Sequence, residues 1–346
     1  MAFDDTEMEG FQDNSTIPDN YIYDDIDNIK SGLCEKEHVA RIGSIAVPIF
    51  YSIVVIFSVV GNVLVLAIIS LYETLKSLTN IFILNLALSD LLFTLGLPFW
   101  ACYYIWGWTL GHVACKAVSF IFSAGFYSSI LFLVLMTVQR YMAVVHPLSD
   151  WERGQHINLI LIATWVVSIS AALPALIQSS VMSDQGKLYC ELESTEAYLA
   201  VTYKQNVFFI CAFMVMSFCY IRILQIVFKS RTNKRHRTIR LIFCLVAVFF
   251  VGWAPYNLVI FLKTFTYHQI PFFTDCDVTH HLDYALYVCQ LLAFSHCCLN
   301  PVFYVFVGVK FRNHLKVILQ KIFQRPSNTG PSPSRTAVFQ SLGSMY

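Results

Sequence analysis

The chain has 346 residues, of which 57% are hydrophobic and only 13% charged. Soluble domains run nearer to about a quarter charged, so a water-soluble globule of this composition would expose large apolar patches and is excluded in favour of a membrane-embedded chain. The net charge of +1 hides a sorting: 11 of the 22 acids lie in the first 37 positions, no acid follows Asp283, and 12 of the 23 Lys and Arg fall within 229–240 and 310–335.

The elements follow in chain order. Residues 1–40 form an acidic, polar and flexible tail. Met1 to Phe11 carries four acids, no base and no apolar run, so no signal peptide is expected and the first apolar span acts as an uncleaved anchor. Asn14-Ser15-Thr16 is a glycosylation sequon with Asn14 as acceptor. Tyr21 and Tyr23 lie among Asp19, Asp24, Asp25 and Asp27, a setting that suits sulfation. Charge-free stretches then mark spans at 42–72, 117–139, 154–183, 241–262 and 284–309. Two more, 78–105 with the single charge Asp90 and 197–228 with a charge-poor centre, bring the number to seven. Each meets or approaches the roughly 20 residues that a spanning helix needs. An odd number of spans puts the termini on opposite sides. The Lys/Arg bias places the 229–240 loop and the C-terminal tail in the cytoplasm and the acidic tail outside.

After the last span, Phe311, Leu315, Ile318, Leu319 and Ile322 recur at helical spacing, with Lys310, Arg312, Lys316 and Lys321 between them. That predicts a short amphipathic helix on the inner leaflet, its bases facing anionic lipid. The Ser/Pro/Thr-rich residues 324–346 are predicted to be disordered. The fold class is therefore an all-α membrane protein. It comprises an extracellular tail at 1–40, a seven-transmembrane helix bundle at 41–307, a juxtamembrane helix at 308–323 and a cytoplasmic tail at 324–346. No internal repeat supports an inverted-repeat transporter.

Four of the 11 cysteines fall on the outer side: Cys34, Cys115, Cys190 and Cys276. Three pairings are open to them in an oxidising compartment. The preferred one joins Cys115 to Cys190, tying the 179–199 hairpin loop over the bundle mouth, and Cys34 to Cys276, pinning the N-terminal tail beside span seven.

Ionisable groups at membrane depth are costly and mark functional sites. Asp90 is the one acid deep in a span, and Asn62, Ser129, His296 and Asn300 are its expected neighbours if the helices pack in a ring. A cation or water network and a hydrogen-bonded packing knot both remain open for this cluster. Pro98, Pro174, Pro255 and Pro301 each remove a helical hydrogen bond and permit a kink. Phe249 and Trp253 precede Pro255, and Asn300 and Tyr304 flank Pro301, so this pair of kinks is the expected two-state element. Arg140, next to Tyr141 at the inner end of span three, can either snorkel to the interface or change partners between states.

Together these features resemble the rhodopsin-like G-protein-coupled receptors over roughly 40–323. The marks run in order: Gly61-Asn62, Leu86-Ala87-Leu88-Ser89-Asp90, Cys115, Arg140-Tyr141, Trp165, Phe249…Trp253-Ala254-Pro255 and Asn300-Pro301-Val302-Phe303-Tyr304. Within that superfamily the chain resembles the chemokine receptors. The acidic Tyr/Asp tail, the Cys34 and Cys276 pair, Trp108-Thr109-Leu110-Gly111 and Phe294-Ser295-His296-Cys297-Cys298 carry that likeness. The segments 77–86 and 304–312 look most like the XC-type branch of the family.

The resemblance implies a basic chemokine ligand, attracted by the acidic tail through Tyr21, Tyr23, Asp24 and Asp25. Its N-terminus would enter the mouth against Trp100, Tyr103, Tyr127, Tyr256, Tyr287 and Gln290, although such aromatics also suit an interface belt. It implies that Arg140 engages a heterotrimeric G protein of the inhibitory type. Trp253, Tyr304 and Tyr220 would take part in the activating rearrangement, and Asp90, Asn300 and Ser129 would form a polar centre linked to an allosteric sodium ion. Phosphorylated tail residues such as Ser327, Thr329 and Ser334 would recruit arrestin. The implied location is the plasma membrane, and no nucleic-acid partner is expected.

Several positions depart from the family pattern. Gln139 stands where an acid usually precedes the arginine, span five has no proline, Gly96-Leu97-Pro98 lacks a family Thr, Gln290 replaces a pocket Glu, and His296 occupies a usual ion-ligand position. Gln139 motivates an alternative, an atypical receptor that scavenges chemokine without G-protein coupling. A retinal protein is disfavoured because no Lys falls between Asp283 and Lys310. No Ser/His/Asp set, HExxH or phosphate loop points to an enzyme.

Overall fold

The computed structural model describes residues 37–73, 77–146, 156–184, 186–227, 236–307 and 309–323. Seven of its helical stretches are long and apolar enough to cross a membrane. The helices are α1 (Glu37–Tyr72), α2 (Leu78–Trp106), α3 (Gly111–Val145), α4 (Ile157–Gln178), α5 (Thr195–Val227), α6 (His236–Tyr267), α7 (Cys276–Phe294), α8 (His296–Val307) and α9 (Val309–Phe323). Helices α7 and α8 together make the seventh span, which is broken at Ser295.

Neighbours in sequence pack side by side, and α1 closes the ring against α7 and α8. Helix α3 runs through the middle, touching α2, α4, α5 and α6. That position needs small residues at its crossings. A Cβ on Gly125 would lie 2.5 Å from the backbone nitrogen of Phe93, so only glycine lets α3 lie this close to α2.

The stretch read as span four is shorter than its charge-free run. Residues from Ser179 leave the helix and form β1 (Ser179–Asp184), which pairs antiparallel with β2 (Lys187–Leu192). Gly186, at φ 79°, occupies the turn between them. Apolar composition cannot distinguish a membrane helix from a short strand lying over its mouth. At the other end, α1 begins at Glu37, so its first turn falls within the stretch read as tail.

Pro301 explains a second local feature. Inside α8 it removes the amide that would bond the Cys297 carbonyl. Asn62 Nδ2 from α1 donates to that carbonyl instead, at 2.9 Å, and Ser58 Oγ lies 3.3 Å from it. Gly61 permits the approach, since a Cβ there would meet Pro301 at 2.8 Å. The Gly61-Asn62 pair is thus a device for docking α1 onto a proline break.

Candidate functional site

At the mouth, a disulfide joins Cys115 on α3 to Cys190 on β2. In the register of the hairpin, Val181 faces Cys190. The loop before α3 is fastened to the same hairpin, because the Trp108 amide donates to Leu188 O at 2.7 Å. The Trp108 indole folds back to donate to Gly111 O, and its ring is buried with Cys115, Val118 and Cys190. Cys276 is also disulfide-bonded. Its preferred partner, Cys34, lies outside the described residues.

Beneath the hairpin lies an aromatic layer. Trp100 meets Tyr103 and Trp108, Tyr103 meets Tyr104, and Tyr104 meets Tyr287, all at centroid separations of 5.7–6.0 Å. The Tyr103 hydroxyl reaches Glu191 on β2 at 3.4 Å. Gln290 donates to the Tyr51 hydroxyl at 2.7 Å, with the Tyr104 hydroxyl at 3.5 Å. Deeper still, Tyr51 stacks on Phe294 at 5.8 Å, and Phe294 contacts Tyr256 and Trp253. Trp253 packs on Phe126 and Phe249 and reaches the His296 ring at 5.3 Å. On the opposite wall, the Lys204 ammonium lies 5.2 Å above the Tyr127 ring and donates to Ala171 O at 2.7 Å. A cation at this depth is stabilised by such contacts with a ring face and a carbonyl.

The aromatic column ends on Asp90, which is fully buried. Its Oδ2 accepts from Asn300 Nδ2 at 2.7 Å and its Oδ1 from Ser129 Oγ at 3.1 Å. Hydrogen bonds to a charged acceptor contribute about 1.5–3 kcal/mol each, which offsets part of the cost of burying a carboxylate. His296 Nδ1 lies 2.9 Å from Ala293 O. A carbonyl can only accept, so Nδ1 carries a proton. Nε2 is 3.8 Å from Asp90 Oδ1 and has no hydrogen-bond partner among the described residues. A proton on either group would let one donate to the other, and a small cation between them would balance the same charge. The Asp90 carboxylate, the Ser129 oxygen and His296 Nε2 fit a small cation.

Asn62 corrects the expected cluster. It bonds to Ser58 and to Cys297 O, not to Asp90. The link runs through Ser58, 2.6 Å from the Thr94 hydroxyl, which in turn donates to the Asp90 carbonyl at 2.6 Å. The physical reason is Pro301, whose orphaned carbonyl takes the amide first.

At the inner end, the Arg140 guanidinium Nη2 donates to the Thr79 hydroxyl on α2. The same hydroxyl donates to Gln139 Oε1 at 3.2 Å. Tyr141 packs against Phe218 of α5, and the buried Tyr220 ring meets Phe243 of α6 edge-on at 5.5 Å. Glu73 at the end of α1 joins the membrane-surface helix, with His314 Nε2 3.2 Å from its carboxylate and the His314 ring stacked on Tyr72.

The structure thus brings Trp100, Tyr103, Tyr287 and Gln290 into one layer, with Tyr256, Phe249 and Trp253 below it. Asp90, Ser129, His296 and Asn300 form one centre, and Pro255 and Pro301 lie within helices. Asn14, Tyr21, Tyr23, Asp24 and Asp25 lie outside the described residues, as does the Tyr304 side chain. Sequence reading missed Tyr51, Tyr104, Ser58, Thr94, Lys204 and Thr79. Lys204 carried a signal, being a charge inside the fifth span. The tyrosines and hydroxyls carried none that set them apart from other span residues.

A family model described as "7 transmembrane receptor (rhodopsin family)" matches residues 61–304. Chemokine XC receptor 1 of Homo sapiens is 44% identical over 299 residues, covering 86% of this chain and 87% of that receptor. Chemokine XC receptor 1 of Mus musculus is 42% identical over 314 residues, covering 89% and 94%. These are families of receptors rather than enzymes, and seven spans make the protein a multi-pass component of the membrane. The chain belongs to the rhodopsin family of seven-transmembrane receptors, in its chemokine-receptor branch.

Proposed function

We propose that the protein is a plasma-membrane receptor for a basic, XC-type chemokine and that it activates an inhibitory-type heterotrimeric G protein, leading to calcium mobilisation and chemotaxis. The acidic tail faces outside, and the 229–240 loop and C-terminal tail face the cytoplasm. One observation carries the reading. A continuous series of contacts runs from Gln290 and Tyr51 at the mouth, through Phe294, Trp253 and His296, to Asp90 and Asn300 beside the Pro301 break. A peptide entering the mouth would displace the upper rings, and close packing would transmit the shift to the proline-broken spans.

Capture begins outside the bundle. The acids around Tyr21 and Tyr23 attract a basic ligand over distance, and sulfate on the tyrosines would deepen that field. The polar centre is our candidate for an allosteric sodium ion. Asp90, Ser129 and His296 would hold it, and it would supply a positive charge beside the buried carboxylate. Inside the cell, Arg140 would meet the G protein, tail phosphates would recruit arrestin, and the bases of α9 would face anionic lipid.

The scavenging reading is favoured by Gln139 alone. Chemokine-stimulated inhibition of cAMP accumulation separates the two, since a scavenger internalises ligand without that response. In the same cells, Tyr21→Phe with Tyr23→Phe should weaken binding of an XC-type chemokine roughly threefold to tenfold, with a loss of salt sensitivity. Unchanged affinity in the double variant would remove the tail-capture step.

A further inference from the structure

The family pattern puts a carboxylate before the inner arginine, and this chain has Gln139 there. Gln139 is buried, at 8% exposure, and brings dipoles but no charge. The place of the carboxylate in contacting Arg140 is taken by a hydroxyl from another helix. Thr79 lies in the first turn of α2, and its Oγ1 both accepts from Arg140 Nη2 and donates to Gln139 Oε1. A hydroxyl has one proton and two lone pairs. Giving the proton to Gln139 turns the lone pairs toward the guanidinium. Gln139 therefore orients the hydroxyl, and the hydroxyl holds the arginine.

We propose that Thr79 is the positioning residue that retains Arg140 in the resting receptor, forming with Gln139 a neutral latch between α2 and α3. This rests on the G-protein reading above. The latch has a different character from an ion pair. Two partial charges hold a full charge more weakly than a carboxylate does, and the hold is directional. Arg140 keeps further contacts as well, so losing the hydroxyl loosens the side chain without releasing it altogether. The latch also couples two helices, because Thr79 and Arg140 can part only if α2 and α3 shift or the arginine turns away.

The test compares Thr79→Val, which keeps the shape and removes the hydroxyl, with Thr79→Ser, which keeps the hydroxyl. Each is expressed at matched surface density and read by recruitment of an engineered inhibitory-type Gα subunit without ligand. Thr79→Val should raise basal recruitment about threefold to tenfold, and Thr79→Ser should stay at the wild-type level. Adding Gln139→Asp to Thr79→Val should return recruitment toward wild type, because a carboxylate can then hold Arg140 directly. A general loss of structure would predict neither the serine nor the aspartate result. If wild type responds to chemokine and Thr79→Val leaves basal recruitment unchanged, the latch is wrong and the coupling reading stands. If wild type recruits nothing under any condition, the coupling reading fails. The latch is then judged by the distance between spin labels at the inner ends of α3 and α6. A longer or broader distribution in Thr79→Val supports it, and an identical one overturns it.

Discussion

The two ends of the bundle are held together by different means. At the mouth, a covalent bond ties α3 to a β-hairpin, Trp108 is buried against that bond, and a layer of six ring and amide side chains fills the space below. At the inner end, the described contacts of Arg140 include a hydroxyl and, through it, an amide. The outer frame is closed by a covalent bond, whereas these inner contacts are hydrogen bonds that can exchange partners. In a receptor that asymmetry has a use. On the proposed function, a ligand would push against the tied end and the shift would appear at the inner end.

The largest expected effect tests the stiff end. Cys115→Ser or Cys190→Ser opens a link spanning 75 residues of sequence. Loop-closure entropy puts that loss at about 4 kcal/mol, so the purified receptor should melt at lower temperature and lose chemokine binding. If either variant bound and melted like wild type, the mouth would not be the rigid half. The next effect lies at the centre. Asn300→Ala removes one donor from Asp90 and should cost about 1.5–3 kcal/mol of stability, together with loss of the chemokine response. Full stability in a thermal melt would mean that Asp90 does not depend on that bond. The smallest effect is at Gln290. Gln290→Leu leaves the Tyr51 hydroxyl without its amide donor and should cost about 1 kcal/mol, read as a severalfold loss of chemokine potency. Potency equal to wild type would place Gln290 outside the signal path.

Much of this was legible in the sequence. Charge-free stretches located the spans because a bilayer tolerates few charges, and their order located Asp90, Asn300 and Ser129 on one another. What escaped had specific causes. The hairpin loop over the mouth was legible from Cys190, but its strand pairing was not, because an apolar run does not distinguish a helix end from a short strand. Asn62 was assigned to Asp90 because proximity in a ring says nothing about which acceptor is orphaned, and only the kink at Pro301 reveals the Cys297 carbonyl. Thr79 lay inside the 77–86 segment, yet its role depends on Gln139 facing it across two helices. Lys204 was overlooked because the fifth span was read from its charge-poor centre outward.

The central claim is that events at the mouth reach a G protein at Arg140. The direct measurement is inhibition of cAMP accumulation by an XC-type chemokine in cells expressing the chain, with Arg140→Ala alongside at equal surface density and ligand binding. The account predicts dose-dependent inhibition with wild type and none with Arg140→Ala. Binding and uptake of the chemokine by wild type with no change in cAMP would contradict it.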